Sequence, residues 1–95
     1  MIKYKTNFEL FEEKSKLIKS LSHPVRLCIV KNLNTEGPTN VKNMQLCLDT
    51  PQSTISQHLS ILKNAGIIKG NRCGLEVFYS ISNDKIKKIV EEIFK

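Results

Sequence analysis

The sequence predicts a mainly helical α+β fold with one small β-hairpin: four helices, the hairpin, and a closing helix. Three observations predict it. Apolar residues recur at three- and four-residue intervals through most of the chain, the interval shortens to two after Gly66, and Pro, Gly and Asn residues punctuate the periodic segments. With 95 residues there is room for one domain, spanning 1–95.

The first helix is expected over 7–21, where Phe8, Phe11, Ser15 and Ile18 share a stripe that Leu10, Leu17 and Leu21 widen. Ser22 and Pro24 signal the start of a second helix, with His23 serving that start and Val25, Cys28, Ile29 and Leu33 at helical spacing. The turn residues of 34–38 end it. Asn40 is the expected cap of a short third helix carrying Val41, Met44 and Leu48. Thr50 as cap and Pro51 at the first helical position then open a fourth helix, 51–64. Its buried stripe is Ile55, Leu59 and Leu62, and Gly66 is its stop. Beyond Gly66, Leu75, Val77, Tyr79 and Ile81 point one way and Glu76, Phe78 and Ser80 the other, which reads as a hairpin over 67–82 with its tip near 71–74. Ser82 or Asn83 caps the last helix, 83–95, where Ile86, Ile89, Val90 and Ile93 repeat at helical spacing.

Composition narrows the function. Hydrophobic residues at 40% and charged residues at 25% are too apolar a mixture for a disordered tail. No apolar run approaches the roughly 18 residues of a membrane span, and the first residues hold no apolar signal core, so a cytoplasmic location is expected. Fifteen Lys and Arg against nine Asp and Glu leave a formal charge of +6, which attracts polyanions such as nucleic acid. The chain has no paired acid and base at helical spacing, no nucleophile elbow and no Gly-rich phosphate loop, so no enzyme is expected.

A short helix, a tight turn and a second helix with an uncharged polar outer face meet the requirements of a major-groove reader. Apolar residues fix the helix on the domain, while Ser, Thr, Gln and His side chains remain free to meet base edges. The hairpin would reach the neighbouring backbone as a wing. Base contacts are assigned to Gln52, Ser53, Ser56 and Gln57, with Thr54 and His58 flanking; His58 is equally placed to turn inward. Gln favours adenine and the fourth helix has no Arg, the strongest guanine reader, so an operator rich in A and T is expected. Lys63, Lys69 and Arg72 are the candidate phosphate contacts.

In order and spacing, LSHPVRLCIV, TPQSTISQHLSILKNAGIIK and NRCGLEVFYSIS resemble the winged helix-turn-helix repressors of the ArsR/SmtB family over nearly the whole chain, and within it the small PagR-like branch. The resemblance implies a homodimer, built from the first and last helices, that represses its operon by binding a dyad in double-stranded DNA. Phe8, Phe11 and Ile18 at one end, and Ile86, Ile89, Val90 and Ile93 at the other, are the expected dimerisation residues, since four short central helices have little room to cover them.

The family's metal-sensing positions correspond here to Asn40, Lys42 and Gln45 on the third helix and to Asn83 and Lys85 on the last, which lack the ligands a zinc site needs. No metal or other cofactor is expected. Cys28 and Cys47, each flanked by apolar residues, are expected to be buried, whereas Cys73 beside Arg72 at an exposed wing tip is the candidate for a thiol-based redox response. A protein-interaction module of the same fold, holding another regulator in place of DNA, is the competing function.

Overall fold

Three side chains set where helices begin, and one of them stands at the start of the helix-turn-helix segment. The computed structural model describes residues 1–95. A 3-10 turn, Lys5–Asn7, leads into α1 (Phe8–Leu21), followed by α2 (Pro24–Glu36), β1 (Thr39–Asn40), α3 (Val41–Leu48), α4 (Gln52–Asn64), β2 (Ile68–Cys73), β3 (Glu76–Ile81) and α5 (Asp84–Ile93). His23 Nδ1 accepts from the Val25 N–H at the start of α2 (3.1 Å), Asn40 Oδ1 from the Asn43 N–H at the start of α3 (2.9 Å), and Asn83 Oδ1 from the Ile86 N–H at the start of α5 (3.1 Å). Each satisfies one of the orphan donors of a first helical turn.

The expected cap at Thr50 is corrected. Pro51 holds the N-cap position and α4 begins one residue later, while the Thr50 hydroxyl donates back to the Leu48 carbonyl (2.9 Å) and closes the end of α3. Gly66 does stop α4. With φ +75° it lets its own N–H reach the Lys63 carbonyl and the Ile67 N–H reach the Leu62 carbonyl, the paired bonds of a Schellman stop, with Leu62 and Ile67 both buried.

The hairpin becomes a three-stranded antiparallel sheet in the order β1-β3-β2. β1 went unforeseen because two residues leave no period to detect; it pairs Thr39 with Tyr79 and Asn40 with Phe78. The strands run through Arg72 and Cys73, so the hairpin turn sits at Gly74 and Leu75, later than the expected tip. Gly70 faces Tyr79 across the ladder, and a Cβ there would stand 2.9 Å from Val77 Cγ1 and 3.2 Å from Tyr79 Cε1. Gly70→Ala should therefore cost about 1 kcal/mol and lower the melting temperature by roughly 4–8 °C. Thermal denaturation followed by circular dichroism checks it, and an unchanged midpoint would mean that the Val77 and Tyr79 side chains both give way freely.

Only 12 residues are buried, among them Ile29, Val30 and Leu33 of α2, Ile55, Leu59 and Leu62 of α4, and Ile86 and Val90 of α5. That corrects the dimerisation set. In α5 the ridge formed by Ile86 and Val90 is fully enclosed within the protomer, while the adjacent ridge, Ile89 and Ile93, is exposed. α1 divides likewise: Leu17 and Leu21 pack on the core, and Phe8, Phe11 and Ile18 stay exposed. Tyr4 joins this outer face, its ring edge-on to Phe8 at 5.6 Å and 6.2 Å from Phe11.

Cys47 is exposed, against expectation, because the inward stripe of α3 is Val41, Met44 and Leu48 and Cys47 falls beside it; Cys28 is half-buried. No helix is long and apolar enough to cross a membrane.

Candidate nucleic-acid interface

The turn between α3 and α4 is made by Asp49, Thr50 and Pro51. Asp49 takes a left-handed conformation (φ 48°, ψ 46°), which an aspartate tolerates better than most residues, and its N–H closes on the Gln45 carbonyl. Pro51 in extended geometry then redirects the chain into α4.

α4 has two faces. Ile55, Leu59 and Leu62 are 0–3% exposed, and they clamp the helix to α2, α3 and β2. Gln52, Ser53, Ser56, Gln57 and Ser60 are exposed, with Thr54 half-buried at the margin. The exposed edge carries hydrogen-bonding groups and no charge until Lys63, in the last turn. Such a surface pairs with the donors and acceptors of base edges at little desolvation cost, which a row of carboxylates or apolar groups would not do.

The structure turns His58 away from this edge. Its Nδ1 lies 3.1 Å from Arg26 Nη1, and its ring stands 4.4 Å from that of His23. Of the two roles open to His58 in the sequence, the inward one is what the geometry displays. Burial first, then the nearby His23 and Arg26 charges, lower its pKa from the ordinary histidine value, so the neutral ring is favoured. Arg26 was not among the candidates, and the sequence offers little to single it out beyond its being one of only two arginines.

Lys63, Lys69 and Arg72 are all exposed. The pleat of β2 sends Lys69 and Arg72 to opposite faces of the ribbon, Arg72 sharing a face with Val77 and Tyr79. It also parts Arg72 from Cys73, whose partner across the ladder is Glu76. The wing is tied to the helix-turn-helix through Asn40, whose Nδ2 donates to Glu76 Oε1 (3.2 Å) while its Oδ1 caps α3. No group of three His, Cys, Asp or Glu side chains is close enough together to hold a metal ion.

A family model described as a helix-turn-helix domain matches residues 21–71, the span from the end of α1 into the wing. The chain is 38% identical over 90 residues to the transcriptional repressor PagR of Bacillus anthracis, covering 95% of this chain and 90% of that protein. It is 38% identical over 82 residues to the HTH-type transcriptional repressor SmtB of Mycobacterium tuberculosis, covering 86% of this chain and 60% of the relative. The crystal structure of PagR superposes with a TM-score of 0.81, covering 90% of this chain and 98% of that one.

Proposed function

The chain belongs to the ArsR/SmtB family of winged helix-turn-helix DNA-binding transcriptional repressors, in its PagR-like branch, and on that premise we propose that two copies join and bind a dyad operator rich in A and T. Each protomer lays α4 in the major groove. Gln52, Ser53, Ser56 and Gln57 meet base edges with Thr54 at the margin, while Lys63, Lys69 and Arg72 neutralise phosphates. The observation that carries this reading is the division of α4 into a fully enclosed apolar stripe and an exposed, uncharged, hydrogen-bonding edge.

The dimer would join through the exposed halves of the end helices, Phe8, Phe11 and Ile18 with Ile89 and Ile93. A two-fold arrangement spaces the reading helices about 34 Å apart, one turn of DNA. Repression then follows from occupancy of the promoter, with no chemical step.

Fluorescence anisotropy on a fragment from upstream of its own coding sequence tests the proposal. Three phosphate contacts per protomer predict an affinity loss of about a thousandfold between roughly 50 and 200 mM salt. Gln52→Ala together with Gln57→Ala should weaken specific binding about 10- to 100-fold with the melting temperature unchanged. A footprint with invariant guanines beneath α4 would remove the A/T assignment, and binding insensitive to salt and to both glutamines would remove the interface.

A further inference from the structure

We infer that Arg26 is a positioning residue for DNA reading, a strut that holds α4 at a fixed attitude to the end of α1 through a neutral His58. The inference rests on the DNA-binding reading above. One guanidinium reaches two elements: Nε donates to the Ser20 carbonyl in the last turn of α1 (2.6 Å), and Nη1 meets His58 Nδ1 in the middle of α4 (3.1 Å). Arginine has donors only, so His58 Nδ1 must accept and the ring proton must sit on Nε2. His23, its ring tilted against that of His58, is fixed in the same way by the Val25 N–H on its own Nδ1. The residue immediately before His58 is Gln57, on the reading edge, so a rotation of α4 at this point moves the groups that meet the bases.

Protonation of His58 breaks the strut. It removes the acceptor and sets a second positive charge against Arg26, beside His23. No carboxylate is within salt-bridge distance of any of the three. The crevice that Arg26 lines between α1, α4 and the start of α5 carries Lys14, Lys16, Lys19 and Lys85 against Glu13 and Asp84, and none of these is among the charges acting on His58. Lys42 on α3, Asp49 in the turn, and Lys69 and Arg72 on β2 are exposed and are not among the charges acting on His58. The folded protein therefore disfavours the proton relative to the unfolded chain. The stabilisation is complete above the ordinary histidine value of about 6.5 and is lost as pH falls below it.

The test uses the full chain in four forms: wild type, Arg26→Met, Arg26→Lys and His58→Asn. Without DNA, histidine nitrogen shifts by NMR should report a neutral wild-type His58 protonated on Nε2. In Arg26→Met its titration midpoint should rise and the α4 amides should exchange faster. With the upstream DNA fragment, Arg26→Met should lose about tenfold in affinity at about pH 7.5, because a charge-assisted bond is gone. Arg26→Lys, which lacks the fork needed to span both acceptors, should not restore it. In His58→Asn the introduced amide oxygen replaces Nδ1 as acceptor without titrating, so this variant should stay within about threefold of wild type at pH 7.5 and lack the extra weakening wild type shows at a pH below the His58 midpoint read by NMR. An Nδ1-protonated His58 would overturn the strut. So would an Arg26→Met protein that binds DNA as wild type does at both pH values, whatever its α4 exchange. If wild type itself bound no upstream DNA, the DNA-binding reading would fall and Arg26's role with it; if wild type bound and Arg26→Met bound equally, only the role of Arg26 would fall.

Discussion

Lysine at both Ile89 and Ile93 should yield a folded monomer whose operator affinity is at least about a hundredfold weaker than that of wild type. Both side chains are exposed on α5, at 43% and 59%, and neither belongs to the enclosed ridge of Ile86 and Val90. The substitutions therefore leave the protomer core untouched. In an isologous contact each lysine meets the same patch on the partner, where burying it unpaired is costly. Lysine is preferable to aspartate for two reasons. It suits the C-terminal half of a helix, and its charge by itself favours DNA, so lost binding could not be ascribed to electrostatics. Light scattering on the eluting protein, a thermal melt and anisotropy on the operator check the result together. A variant that stays dimeric would show that α5 does not form the contact.

Ile55→Ala should destabilise the domain by about 2 to 5 kcal/mol, a large share of the roughly 5 to 15 kcal/mol expected for a protein of this size. Ile55 is fully enclosed at the centre of α4, so removing its outer methyl groups leaves a cavity where α2, α3 and α4 meet. The melting temperature should drop by about 10 °C or more at matched protein concentration. Ser56→Ala, one position along on the exposed edge, should change stability by no more than about 0.5 kcal/mol and weaken DNA binding instead. Equal melting curves for the two variants would contradict the division of α4 into a clamped and a reading face.

The reading helix was legible in the sequence because its signals are local and agree. Ile55, Leu59 and Leu62 repeat at helical spacing, Pro51 and Gly66 bracket them, and the structure keeps each in its expected role to within one residue. Asn40 was legible as a cap for the same reason. Side-chain partnership across the fold was not. Arg26 and His58 are 32 residues apart, and nothing in either segment announces the other. The apolar stripe of α5 showed a second limit. Periodicity finds the stripe, but Ile86 and Ile89 are both on it, and which ridge faces the protomer's own core depends on how α2 packs there. Leu46 and Leu48 around Cys47 invited a similar error, since an eight-residue helix has one inward stripe and Leu46 is not on it.

Asn40 grips the first turn of α3 with its oxygen and the ribbon with its nitrogen, while the peptide groups of β1 are laced to β3. A single amide thus works like a hinge pin between wing and third helix, so that a shift of either one is felt by the other.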